Sequence, residues 1–168
     1  DTSKNYGAAD PAFPYTYMNG SVGGTAYYPV VAADLSLVTI SVQRTNSDNL
    51  VGVYPGVLVP SVVAAPAALN NYVFSTAPAD FTIDPQVTYF ANTSATVTGF
   101  PQPEWLGYGT DAVVAGGTGV SRAGYVLSGW RDAATNEPIA LGGTIPSITR
   151  NYALNAVWMT GTFAIFAA

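Results

Sequence analysis

Glycine and proline punctuate this chain, 17 of one and 12 of the other in 168 residues. Inside a helix glycine costs about 1 kcal/mol and proline about 3 kcal/mol relative to alanine. Leu, Glu, Lys and Arg, which sustain helices, are scarce. Between the breakers lie short runs rich in β-branched and aromatic residues: YTYM, VTISVQ, YVFST, FTID, QVTYFA, ATVTGF, YVLSGW and YALNAVW. Such runs, bounded by Gly, Pro, Asn or Asp, read as strands, and their density predicts a mainly β fold. Alternation assigns faces. Val38, Ile40 and Val42 oppose Leu37, Thr39 and Ser41; Leu154, Ala156 and Trp158 share a side; Tyr125, Leu127 and Gly129 alternate with Val126, Ser128 and Trp130.

The pair Asp84-Pro85 reads as a turn that pushes its first residue toward extended geometry. It divides the chain into two small tandem β domains, 1–84 and 85–159, followed by an apolar strand, 160–168. The stretch 63–71 reads as a short helix or an exposed loop.

Charge excludes several functions. Charged residues are 9% of the chain and the net charge is −5, against about 25% charged residues in an ordinary soluble domain. A chain this poor in cations does not displace counterions from a phosphate backbone, so nucleic acid is not an expected partner. No run approaches the length that spans a bilayer as a helix, so membrane insertion is not expected. Cysteine and histidine are absent, which removes disulfides, Cys/His zinc sites and imidazole-based catalysis. The surface is left to Thr, Ser, Asn, Gly, Tyr and Ala, as on extracellular and polymerising proteins.

Two resemblances sharpen this reading. Lys4, Tyr6, Gly7, Asp10 and Pro11 form the Lys-x-Tyr-Gly-x-x-Asp-Pro opening of the MBG repeats of bacterial surface proteins. Val51, Gly52 and Tyr54, then Asn71, Tyr72 and Phe74, then Phe81 to Ile83, follow the order of that family's later elements; Pro55 departs from it. The second half resembles the Listeria–Bacteroides, or internalin B-type, repeat. Val87 and Tyr89 fit its opening strand, Arg122, Gly124, Tyr125, Gly129 and Trp130 its central pattern, and Leu154, Ala156, Val157 and Trp158 its close; residues 90–117 depart from it. The resemblance implies a β-grasp-like second domain and a non-enzymatic stalk or adhesive module, extracellular at the cell surface, without a cofactor, whose partners are surface proteins or glycans.

SRAGYVLSGWRD, residues 121–132, admits two readings. In one, Tyr125 and Trp130 are core or half-buried aromatics, Gly124 and Gly129 permit a turn or a close strand approach, and Arg122 binds a carbonyl or a carboxylate. In the other, Tyr125, Trp130 and Arg131 form a sugar platform. The structural reading is favoured, because the repeat keeps its aromatics at strand period. Asp10 could offer one calcium ligand, but a lone carboxylate is poor for a cation needing about 6–8 oxygens; a turn ahead of Pro11 is favoured. Asp132, Asn136 and Glu137 read as a solvated hairpin loop rather than a cation site, and Asp132 with Glu137 is the one close acid pair that could suggest glycoside hydrolysis. Lys4 could in principle link to an Asn side chain with loss of ammonia, although the repeat pattern accounts for it. The glycine-rich 116–120 lacks the Lys-Ser/Thr of a phosphate loop. Thr162, Phe163, Ala164, Ile165 and Phe166 read as an apolar strand that could pair with a neighbour's sheet edge and self-associate into fibres or a layer.

Overall fold

A computed structural model of the chain describes residues 2–17, 20–22, 25–28, 31–66 and 72–161. The expected assembly strand, Thr162 to Phe166, lies outside the described residues, as does Asn71. Strand makes up 45% of the chain and helix 5%, so the fold is mainly β.

Among the described residues the strands are β1 (Thr2–Asn5), β2 (Gly20–Val22), β3 (Thr25–Tyr27), β4 (Val38–Arg44), β5 (Gly52–Ala64), β6 (Ala79–Asp84), β7 (Gln86–Phe90), β8 (Glu104–Trp105), β9 (Ala112–Val113), β10 (Tyr125–Asp132), β11 (Pro138–Ile139), β12 (Thr144–Ile145) and β13 (Tyr152–Thr160). A 3₁₀ turn, Ala32–Leu37, leads into β4. The chain divides into two compact units. One comprises Asp1–Ser3, Ala9–Asp48 and Val53–Thr82; the other comprises Lys4–Ala8, Asn49–Gly52 and Ile83–Ala168.

The first unit is built on a sheet of order β1-β6-β5-β4. β4 and β5 pair antiparallel from Val38 opposite Ala64 to Arg44 opposite Leu58. Along β4 the half-buried positions are Val38, Ile40 and Val42, with Thr39 and Ser41 exposed, as the alternation predicts. The unit's core is small. Phe81 is fully buried and meets Phe13 edge-on, ring centroids 5.6 Å apart, while the Arg44 guanidinium lies 4.9 Å above the Phe81 ring. Asp10 holds that guanidinium through its Nε at 2.9 Å. Asp10 is thus a buttress for Arg44 and not simply a turn residue.

The second unit carries a five-stranded sheet of order β11-β10-β13-β7-β8. β13 is central. It runs antiparallel to β10 and parallel to β7, with Tyr152 opposite Val87 and Asn155 opposite Phe90. β9 and β12 form a separate two-stranded ladder. The core of this unit holds Val87, Tyr89, Ala112, Val114, Leu127, Trp130, Ile145, Ile148, Leu154 and Ala156. β6 and β7 are separated only by Pro85, and burial alternates without a break through Phe81, Ile83, Pro85, Val87 and Tyr89. The backbone at Asp84-Pro85 is therefore extended rather than turned. Proline's fixed φ suits extended backbone, and a tight turn would break the burial period.

Other expectations are corrected. The runs Tyr15–Tyr17 and Tyr72–Thr76 form no strand, and Ala95–Phe100 contributes only a bridge from Thr98 to Ser121. Each has strand composition but no partner strand among the described residues, and the ladder rather than composition decides. Val63 and Ala64, read as helix or loop, end β5, which also runs through Pro55.

Candidate functional site

The site grows from the turn ahead of β10. The Tyr125 N–H donates to the Arg122 carbonyl at 3.1 Å, closing a turn in which Gly124 sits at φ 74°, a left-handed conformation that a side chain disfavours. Just upstream, Thr98 and Ser121 exchange two backbone hydrogen bonds of 3.0 Å, which fix the approach to Arg122. Gly99 makes this approach feasible. Its φ is 66°, and a Cβ there would fall 2.1 Å from the Gly119 carbonyl oxygen. Gly99→Ala is expected to part the 98–121 bridge and to lower stability by about 1–3 kcal/mol, read as a lowered urea midpoint with faster amide exchange at Thr98 and Ser121.

β10 then breaks its own alternation. The register with β13 slips between Leu127 and Gly129, so that Leu127 faces Trp158 and Gly129 faces Val157. This bulge inserts one residue, Ser128, and turns the strand by half a period. Trp130, which strict alternation puts opposite Leu127, joins it in the core and is 1% exposed. Its ring lies 4.8 Å from Tyr89 and 5.7 Å from Phe100. The polar ends of the two buried rings converge on one residue: Trp130 Nε1 donates to the Ala115 carbonyl at 2.8 Å, and the Ala115 N–H donates to the Tyr89 hydroxyl at 2.9 Å. Burial pushes the Tyr89 phenol above its ordinary range, although the Ala115 N–H works against this.

Tyr125 does the opposite. It is 41% exposed. Arg122 stacks its guanidinium 3.8 Å from the Tyr125 centroid and 5.3 Å from that of Trp158. Arg122 binds neither a carbonyl nor a carboxylate among the described residues, contrary to expectation, and its Nε is buried without a hydrogen-bond partner. Trp158 is held in place by Nε1 donating to the Ala91 carbonyl at 2.7 Å.

These three side chains line an open depression of about 470 Å³. Arg131, Asn136 and Asn155 line it too, as does Asn92, whose Nδ2 donates to the Ala156 carbonyl at 3.2 Å. Arg131 Nη1 donates to the Asn136 carbonyl at 2.7 Å. No carboxylate of the described residues lines the depression. The remaining basic groups are engaged elsewhere: Arg44 by Asp10, Arg150 by Asp132, and Lys4 through a 2.7 Å hydrogen bond from Nζ to Asn49 Oδ1. In a chain of net charge −5, two of the five cations thus share one acid-free hollow. The sequence singles out Arg122, Tyr125 and Arg131 in readings of this segment. It does not mark Trp158, Asn155 or Asn92 as their neighbours, because that depends on how β13 outruns the end of β7.

The acid pair is not assembled as a pair. Asp132 is 2% exposed while Glu137 is exposed. Asp132 Oδ1 accepts the Ala134 N–H at 3.1 Å; Oδ2 accepts the Thr135 hydroxyl at 3.0 Å and the Arg150 guanidinium. The expected solvated loop therefore has a buried anchor. Burial alone would raise the Asp132 carboxyl, but the Arg150, Ala134 and Thr135 donors outweigh it and hold the group below its ordinary value. A carboxyl depressed in the folded state stabilises the fold above the unfolded value of about 3.9, and loses that contribution as pH falls through the lower folded value. Stability is expected to drop below about pH 4, with a shallower acid slope in Asp132→Asn, measured by urea unfolding across pH. Asp132→Ala is expected to cost about 2 kcal/mol at neutral pH, since it strands a turn N–H while the partly exposed Arg150 regains water. Among the described residues no cluster of three or more acidic, His or Cys groups forms a cation site, and no helix is long and apolar enough to cross a membrane. Compared with protein-family models, curated proteins and solved structures, the chain matches none.

Proposed function

We propose that this chain is a non-enzymatic module of a bacterial extracellular surface protein, a stalk or adhesive repeat whose second half is β-grasp-like. The observation that carries the reading is the parallel pairing of β7 with β13, the first and last strands of the five-stranded sheet, side by side near its middle. Tension along the chain enters at the start of β7 and leaves at the end of β13. Two parallel strands pulled that way are sheared, and their ladder bonds share the load. An antiparallel pair pulled from one end is peeled bond by bond. The acid-poor, amide-rich depression supports an adhesive role alongside the mechanical one.

Single-molecule pulling on the full chain tests this. The sequence has no cysteine, so introduced ones are unique attachment points. Gln86→Cys with Thr160→Cys loads β7 and β13 in shear. Tyr125→Cys with Thr160→Cys loads the facing ends of β10 and β13, where Tyr125 and Thr160 are register partners. The first geometry is expected to rupture at a clearly higher force. Equal forces, or a weaker shear geometry, contradict a load-bearing role.

A further inference from the structure

We propose that the depression beside Tyr125 binds the carboxylate of an acidic sugar, a hexuronic acid unit of a polysaccharide, with Arg122 as its principal anchor. The inference rests on the adhesive reading above and names the ligand class of that surface.

Four observations converge. First, Arg122 and Arg131 line the same hollow, and neither has a carboxylate partner among the described residues. An anion entering the hollow therefore displaces no internal ion pair. Second, Arg122 is already oriented. Its Cζ lies over the Tyr125 ring at 3.8 Å and over the Trp158 ring at 5.3 Å, so two aromatic contacts hold the guanidinium. Its donors lie in the plane, at the edge, where a planar carboxylate accepts two parallel hydrogen bonds. Third, its Nε is buried without a hydrogen-bond acceptor, so no acceptor of the fold competes there for the guanidinium. Fourth, the remaining lining suits a sugar rather than a bare ion. Asn92, Asn136 and Asn155 are among its lining residues, a residue type whose amide can donate to and accept from hydroxyls, although the Asn92 Nδ2 is engaged by the Ala156 carbonyl, and the half-exposed Tyr125 ring offers an apolar surface with a polar rim. The hollow is open, as suits one unit of a chain running across the surface rather than an enclosed small molecule.

The test is a ¹H–¹⁵N NMR titration of the full chain with an oligomer of galacturonic acid. Three parallel arms use the same oligomer methyl-esterified, a neutral oligomer of hexose, and a sulfated one. The acidic oligomer is expected to shift the Trp158 indole and the Tyr125 amide and to bind at least tenfold more tightly than its ester or the neutral oligomer. Arg122→Gln is expected to weaken binding tenfold or more. Arg122→Lys, which keeps the charge but loses the planar fork, is expected to weaken it nearly as much. Arg131→Gln, at the lining cation without a ring contact, is expected to weaken it several-fold. Arg131→Gln serves where Arg122 variants disturb the turn, which their urea midpoints report. Undiminished binding of the ester or of the neutral oligomer overturns the role of the carboxylate. Equal binding of the sulfated oligomer overturns the planar fork in favour of a general anion site. Absence of binding by the acidic oligomer overturns the site itself. None of these outcomes alters the rupture-force comparison, so the binding proposal and the load-bearing one fail separately.

Discussion

Trp130→Ala is expected to cost about 3–5 kcal/mol, the range for emptying a large aromatic from a packed core, and to be the most damaging single change in the second unit. Trp130 is almost fully buried and packs on Tyr89 and Phe100. Its loss opens a cavity that its neighbours would have to close. It also removes the shorter of two hydrogen bonds to the Ala115 carbonyl, which accepts from Trp130 Nε1 at 2.8 Å and from the Gly142 N–H at 3.4 Å. Ala115 is tied to Trp130 and Tyr89 by these side-chain hydrogen bonds, so its own segment loses one of its two ties to the sheet. A domain of ordinary stability has about 5–15 kcal/mol in total, so this substitution takes a large share. Trp130→Phe separates the two contributions. It keeps a ring in the cavity but gives up the indole donor, and is expected to cost markedly less than Trp130→Ala. Urea unfolding followed by far-ultraviolet circular dichroism reads both without depending on the fluorophore being removed. A loss below about 1 kcal/mol for Trp130→Ala, the level of a surface substitution, contradicts its placement.

Phe81→Ala is the corresponding change in the first unit and is expected to cost about 3–5 kcal/mol. Few large side chains are buried there, and Phe81, at 0% exposure, is the one that gathers the rest. It receives the edge of Phe13 and the face of Arg44, and Arg44 is itself gripped by Asp10. Removing the ring therefore releases an aromatic contact, a cation–π contact and the support beneath an ion pair. Phe81→Leu preserves much of the volume and is expected to cost less than half as much. Asp10→Asn tests the chain of support from its other end, because it removes charge from beside Arg44 without touching the core. Its cost, read by the same unfolding experiment, is expected to shrink in the Phe81→Ala background, where Arg44 has already lost its seat.

The mainly β character was legible because breakers and β-branched runs alternate throughout. The faces of β4 and β13 were legible because a strand has a period of two and nothing interrupts it there. Three features were not. The bulge at Ser128 leaves no mark in composition, and it moves Trp130 from one face to the other. Tyr15–Tyr17 and Tyr72–Thr76 look like strands, yet a strand exists only with a partner, and partners are set by long-range pairing. Asp84-Pro85 carries a turn signature but lies in continuous extended chain, since burial on both sides of Pro85 keeps the same phase. The site was half legible. Arg122, Tyr125 and Arg131 belong to one segment that reads either as structure or as a sugar surface. The structure divides that segment instead of choosing: Trp130 and Gly129 are buried, whereas Tyr125 and Arg122 line an open hollow.

That division between a buried ring and one lining the open hollow is tested directly by the three indole N–H signals. Hydrogen exchange of Trp105, Trp130 and Trp158, recorded during the uronate titration, separates the two roles. Trp130 is expected to be the slowest to exchange and to stay unmoved, and Trp158 to shift with the oligomer. Trp105, 47% exposed, is expected to exchange fastest and to stay unshifted. A Trp130 indole that exchanges freely, or that shifts while Trp158 does not, contradicts the division.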